Sequence, residues 1–193
     1  MGGTKDEQII GTTLDNNDNF IVSGYTISMD FPMLGHSRDG VASTIDFLLV
    51  KFDRNGIYKW SVVEGGNNSD LFTSVTNDKV NDIYVTGFSK STDLAFPGAP
   101  NPNLRGQNDV VIIKYNGNDG NKISGTFYGD AEEDNAYAIK LDSDGKVLVA
   151  GKTDSKDFPS TNGKYTVKMA NTDGFLMKCE PTTFKIIWST IIS

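Results

Sequence analysis

Apolar residues along this chain come in short runs rich in Val, Ile, Phe and Tyr, divided by clusters of Asn, Asp and Gly. Runs of that kind, bounded by turn formers, predict β-strands joined as hairpins. In the first third of the chain they predict strands at roughly 8–14, 19–26, 46–53 and 57–63. Asn55-Gly56 and Asp144-Gly145 supply the positive φ angles that two-residue hairpins need, and Asn16-Asn17-Asp18-Asn19 does so less ideally. No stretch sustains a helical period with caps at both ends, so the chain reads as all-β.

The pattern then repeats. Sliding the sequence against itself by 63 and then 64 positions brings Gly2, Gly65 and Gly129 into register. The same shifts align Gly24, Gly87 and Gly151, each closing an apolar run such as Phe20-Ile21-Val22-Ser23-Gly24. They bring together the Phe-Pro pairs at Phe31-Pro32, Phe96-Pro97 and Phe158-Pro159. They also align Asp46, Asp109 and Asp173, each opening an apolar run that reaches Lys51, Lys114 or Lys178. Trp60-Ser61 and Trp188-Ser189 close two of the units, and the middle one carries Lys122-Ile123-Ser124-Gly125 there. Four antiparallel strands per unit, three times over, predict three β-propeller blades at about 1–64, 65–128 and 129–193, in a single module spanning 1–193. Closed propellers take about four to eight blades. Three would leave strand edges open. The expectations are therefore a piece of a longer propeller, a homodimer closing a six-bladed ring, or an open array held by other proteins.

A residue present in every unit serves the blade sooner than a single active site. Gly11, Ser74 and Ala138 are small where first strands would crowd a central axis. Asp46, Asp109 and Asp173 are expected to accept nearby backbone N–H groups rather than to ring a ligand. Lys51, Lys114 and Lys178 are expected at strand ends, pointing into water. Trp60 and Trp188 read as core aromatics before sugar-stacking platforms. Cys179 aligns with Phe52 and Tyr115, which predicts a buried, inert thiol.

The 25 acidic residues against 18 basic ones give a formal charge of −7, a field that repels phosphate backbones, so nucleic acid is not an expected partner. No apolar run is long enough to cross a bilayer, so membrane insertion is not expected, and Met1-Gly2-Gly3-Thr4-Lys5-Asp6-Glu7 lacks the basic and apolar regions of a signal peptide. The single cysteine excludes an intrachain disulfide and leaves the compartment open. One Cys and one His cannot make a zinc cluster, and no glycine-rich phosphate loop opens a helix, so no cofactor is expected. Asp15-Asn16-Asn17-Asp18 and Asp142-Ser143-Asp144-Gly145 are as oxygen-rich as calcium loops but lack the closing glutamate, and hairpin turns have the same composition. His36, beside Ser37, Arg38 and Asp39, is the only histidine, too little for a triad gathered from distant segments.

The long connections at roughly 27–45, 90–108 and 154–172 join the second and third strands of each unit. Equivalent loops leave one face of a propeller, and loops of this length are commonly functional. A binding face is therefore expected to include His36, Arg38, Asp39, Asn101, Asn103, Arg105, Asn162, Lys164 and Tyr165. The reading is a binding or scaffold module for a protein or glycan partner. Its alternatives are a lyase or hydrolase working through acidic loop residues, or a structural spacer.

The order Gly-Gly, apolar run to Gly, Phe-Pro, Asp with an apolar run to Lys, then Asn-Gly and Trp-Ser resembles the SBBP family of seven-bladed β-propeller repeats. Asp46-Phe47-Leu48-Leu49-Val50-Lys51-Phe52-Asp53-Arg54-Asn55-Gly56 and Gly151-Lys152-Thr153-Asp154-Ser155-Lys156-Asp157-Phe158-Pro159 carry it most clearly. The resemblance covers essentially the whole chain. It implies a non-enzymatic module, common within larger secreted or cell-surface proteins of bacteria, with no catalytic residues to transfer. The middle unit departs from it by lacking the Trp and by its longer Tyr115-Asn116-Gly117-Asn118-Asp119-Gly120 turn, which predicts an irregular outer strand. A weaker similarity, to quinoprotein-type propellers, rests on Asp53-Arg54-Asn55-Gly56-Ile57-Tyr58-Lys59-Trp60 and occurs clearly once.

Overall fold

The structure, a computed structural model, describes residues 1–34, 44–161 and 171–192. Among the described residues there are twelve strands and no helix. Blade 1 comprises β1 (Glu7–Leu14), β2 (Phe20–Thr26), β3 (Asp46–Phe52) and β4 (Tyr58–Glu64). Blade 2 comprises β5 (Asp70–Asn77), β6 (Ile83–Ser89), β7 (Asp109–Tyr115) and β8 (Lys122–Tyr128). Blade 3 comprises β9 (Asp134–Leu141), β10 (Val147–Thr153), β11 (Asp173–Cys179) and β12 (Ile186–Ile192). Each blade is one antiparallel sheet in sequential order, as the strand spacing predicted, and the three sheets do not close into a ring.

The period-two alternation of each strand divides its side chains between two neighbours. In β6, Ile83 and Val85 face blade 1 and join Phe47, Leu49, Trp60 and Val62, whereas Tyr84 faces blade 3 and joins Phe175, Met177 and Cys179. Two of the three core clusters therefore lie between blades, and the third, of Phe31, Leu48, Val50 and Val63, lies on the open face of blade 1. Phe47 stacks on Phe72 across the first interface with ring centroids 4.1 Å apart.

Each inner strand carries a one-residue bulge, at Ile10, Thr73 and Tyr137. The bulge turns a carbonyl of the inner strand toward the glycine that ends each apolar run: a Cβ on Gly24, Gly87 or Gly151 would stand 1.9, 1.8 or 2.0 Å from the oxygen of Gln8, Leu71 or Asn135. The repeat keeps glycine here because no side chain fits. The inner strands also approach one another as the small residues suggested: a Cβ on Gly11 would lie 3.1 Å from Ser74 Cα, and the Ile139 N–H donates to Ser74 Oγ at 3.3 Å.

Three expectations need correction. The outer strand of the middle blade is regular, with the length of its counterparts and the same bulge, at Ile123 where β4 has Lys59 and β12 has Ile187. Its extra residue is absorbed in the turn closed by Asn116 and Asn121, where Gly120 takes a φ of 74°, so Ser124 rather than a tryptophan stands opposite Lys114. The turns at Asn55-Gly56 and Asp144-Gly145 have three-residue loops with a single left-handed residue, not two-residue loops with two. In these and in the turns at Asp15 and Asp78, the aspartate Oδ1 accepts the N–H groups two and four residues on, which favours the wider loop.

The third correction concerns the lysines. Lys51 lies buried 2.7 Å from Asp15, Lys114 lies 2.8 Å from Asp82 and 3.7 Å from Asp78, and Lys178 lies 2.5 Å from Asp142. The turn aspartates point their second oxygens back along β3, β7 and β11, and the lysine just before the last residue of each strand is the one that meets them. In the oxygen-rich turns at Asp15 and Asp142, the second carboxylate oxygen is thus paired with a lysine ammonium.

Candidate functional site at the loop end

The β2–β3, β6–β7 and β10–β11 connections leave the blades at one end, opposite the aspartate turns. Each is pinned where it departs. Phe31, Phe96 and Phe158 are buried, Phe96 against Phe127 and Phe158 stacked on Phe175. Ser61 Oγ donates to the Pro32 carbonyl at 2.9 Å, and Ser189 Oγ to the Pro159 carbonyl at 2.6 Å. The serine of the Trp-Ser pair is therefore the loop latch. The middle blade has Gly125 there, and a Cβ would come within 2.5 Å of the Phe96 ring. Its loop is held by the Phe127 N–H, which donates to the Asn101 carbonyl at 3.0 Å, and by the Phe96 N–H, which donates to Pro102 at 2.8 Å.

Of the residues expected on a binding face, three are placed. Asn101 is half-buried and contributes its backbone to the latch, and Asn103 is exposed and bridges Ala95. Arg105 ties two blades together: its N–H donates to Asp109 at 2.8 Å, and its exposed guanidinium lies 3.5 Å from Asp130. His36, Arg38, Asp39, Asn162, Lys164 and Tyr165 lie outside the described residues. Trp60 is buried as core and Trp188 is half-buried, and Cys179 is fully buried.

Beneath the loops runs a line of carboxylates that the sequence pattern had not singled out. Glu7, Asp70 and Asp134 each lie five positions after the glycine that opens a unit. Each accepts the N–H of the residue four before it, Gly3 at 3.2 Å, Gly66 at 2.8 Å and Asp130 at 3.0 Å. Each also takes a hydroxyl from the second strand or just after it: Thr26 at 3.0 Å, Ser91 at 2.7 Å, Ser155 at 2.7 Å. In the second and third units these bonds set the turn by which one blade passes to the next.

The aligned aspartates meet this line across the blade interfaces. A Cβ on Gly65 would lie 2.7 Å from both Asp46 Oδ1 and Asp70 Oδ2, and one on Gly129 would lie 2.4 Å from Asp109 Oδ1 and 2.7 Å from Asp134 Oδ2. Asp109 accepts the Arg105 N–H at 2.8 Å and Asp46 accepts the Thr44 hydroxyl at 2.8 Å, and both also confront another acid. Burial pushes Asp70 up to about 6, against bonds from Ser89, Ser91 and Gly66, with repulsion from Asp46 adding to it. Burial likewise raises Asp109 to about 6, opposed by the Arg105 N–H and reinforced by Asp134, which is itself raised, mainly by burial. Among the described residues, no three His, Cys, Asp or Glu side chains gather as metal ligands. These pairs are built to retain protons.

At the loop end of the third unit a cleft of about 470 Å³ is lined by Asp130, Glu132, Asp154, Asp157, Lys156 and Thr172, among others. Four acids against one lysine line it, and although Arg105 lies 3.5 Å from Asp130 and Lys152 3.6 Å from Asp154, an excess of negative charge remains that suits a cationic group.

No protein-family model matches the chain. Over 169 residues it is 25% identical to an uncharacterised WD repeat-containing protein of Acanthamoeba polyphaga mimivirus. That match takes in 74% of this chain but 12% of the relative, so the chain spans a small part of the relative's length. A crystal structure of a protein of unknown function from Bacteroides caccae aligns with 95% of this chain and 81% of its own, at 9% identity and a TM-score of 0.35. The similarity to a WD repeat-containing protein accords with a β-propeller-like repeat fold of four-stranded blades.

Proposed function

We propose that residues 1–193 form a non-enzymatic propeller module, with blades dividing near 64 and 128, that presents its loop end to a protein partner. One observation carries this reading: three connections of differing sequence leave from the same end, each anchored at its start by an equivalent buried phenylalanine, Phe31, Phe96 or Phe158. A rigid base under variable loops is the arrangement of a recognition surface. The WD repeat relative and the resemblance to SBBP repeats favour a binding or scaffold role. Asp70, Asp109 and Asp134 are fully buried, out of a substrate's reach, which also favours binding over catalysis. The acidic cleft selects a segment bearing Lys or Arg.

Selection of displayed peptides on the immobilised chain tests the reading. The expected result is enrichment of Lys- or Arg-bearing sequences whose binding weakens with salt and is lost in Glu132→Gln/Asp154→Asn, while Lys79→Ala at the opposite end leaves it unchanged. Enrichment insensitive to the cleft substitutions, or none at all, would overturn it.

A further inference from the structure

The two interfaces inside the chain are copies of one interface, and the chain carries both halves of a third, apart from each other. On the side of each blade that faces its predecessor, Phe72, Ile83, Val85 and Tyr115 of blade 2, and Ala136, Val147, Val149 and Cys179 of blade 3, are buried against the blade before. The same four positions in blade 1 are Ile9, Phe20, Val22 and Phe52. They have kept their apolar character without a neighbour: Ile9 is 49% and Phe20 45% exposed, and Val22 and Phe52 are half-buried around the cluster of Leu48, Val50 and Val63.

The opposite side shows the complementary pattern. Leu49 and Ile112, which face the following blade, are fully buried, and their counterpart in blade 3, Leu176, is half-buried. Trp60 is buried and Trp188 is half-buried, and Ile192, at the position of the buried Glu64 and Tyr128, is 61% exposed. Lone exposed apolar residues are ordinary, but here they recur at most of the positions whose copies are interface core, with Thr12 in place of the buried Val75 and Ile139, and Gly174 and Thr190 in place of Phe47 and Val62, the exceptions; such a concentration marks a surface that is covered.

What covers it is given by the interface itself: the following side of one blade fits the preceding side of the next. We propose that a second copy of this chain covers both end faces, Leu176, Trp188 and Ile192 of each copy meeting Ile9, Phe20 and Phe52 of the other. The contact is heterologous, and two such contacts close a ring of six blades, within the range that propellers adopt. The register also sets Glu7 of one copy against Asp173 of the other, extending the series Asp46 with Asp70 and Asp109 with Asp134. This inference stands on the end faces and does not rest on the loop-end reading.

Light scattering on the purified chain tests it, because the heterologous contact has a distinctive complementation. The wild-type chain is expected at twice 21.0 kDa. Ile9→Asp, on the preceding side, and Leu176→Asp, on the following side, should each be monomeric. An equimolar mixture of the two should pair again, since one intact face of each kind remains. Circular dichroism and melting establish that the variants are folded; if Ile9→Asp is not, Phe20→Ser replaces it on the same face. A monomeric wild type at tens of micromolar, polymers beyond the pair, single variants that still pair, or a mixture that stays monomeric would each overturn the proposal.

Discussion

The Lys51 ammonium lies 2.7 Å from the Asp15 carboxylate at the turn end of blade 1, and neither residue is more than marginally exposed. Lys51 also donates to the Gly117 carbonyl of blade 2 at 2.6 Å, so this pair joins two blades. Burial works against the Asp15 charge, but the Lys51 and Asn19 side chains and the N–H groups of Asn19 and Asn17 outweigh it and bring the carboxyl to about 2. Removing one partner strands the other charge in the interface. Lys51→Met should cost about 3 to 5 kcal/mol in urea unfolding. Lys178→Met, whose pair with Asp142 is more open, should cost less than about 1 kcal/mol. Asp15→Asn combined with Lys51→Met should recover much of the first loss. Equal costs for the two lysines would mean that burial does not govern the pair.

The inner-strand bulge makes a second contrast. Gly87→Ala would press a methyl into the Leu71 carbonyl, 1.8 Å away in the present geometry, so the bulge must move or the strand separate. A loss above about 2 kcal/mol is expected in denaturant titration. Gly56→Ala meets open space and is strained only by its φ of 78°, so about 1 kcal/mol is expected. Were the two substitutions to cost the same, the recurring glycine would reflect backbone conformation rather than crowding.

The strands were legible because each propeller strand alternates against its neighbours and ends at Asn, Asp or Gly. The first four strand limits fell within a residue of those observed. The lysine pairs were not, because Lys51 and Asp15 are 36 positions apart and meet only when β2 and β3 pair back onto the first turn. The recurrence of Asp15, Asp78 and Asp142 at the repeat spacing was the available signal. Glu7, Asp70 and Asp134 escaped notice for a related reason: the first is a glutamate, and their common role appears only once the backbone of the preceding turn folds onto them. The Ser61 and Ser189 latches were visible as Trp-Ser pairs, but sequence directs attention to the large aromatic, while the hydroxyl holds the loop.

Cys179 offers a probe of opening. It is fully buried, and burial pushes its thiol up to about 12, opposed only in part by a hydrogen bond with Tyr128. A thiol so protonated and enclosed does not react in the folded state. Labelling with an aromatic disulfide at pH 8 should follow the population of the unfolded chain through a denaturant titration, with the same midpoint as circular dichroism. Fast labelling in native buffer would show that blades 2 and 3 separate locally.

The interblade acids give stability a pH dependence opposite to that of ordinary paired carboxylates. An unfolded aspartate titrates near 3.8, whereas Asp70 and Asp109 titrate at about 6 in the fold, raised chiefly by burial. The folded chain therefore keeps protons that the unfolded chain has released at intermediate pH. The resulting stabilisation is full below the unfolded value and is lost as pH rises through about 6. For each of these two buried acids the difference between the folded and unfolded chain amounts to roughly 3 kcal/mol. Asp15 acts in the other direction, its contribution being lost as pH falls from 3.8 through about 2, so the two effects occupy separate windows. Urea midpoints measured from about pH 4.5 to 7.5 should decline across that range. Asp109→Asn, which removes one titrating acid and its repulsion with Asp134, should flatten the decline and raise stability at the alkaline end. A wild-type profile that is flat across this range would show that water or a bound cation already neutralises the pairs.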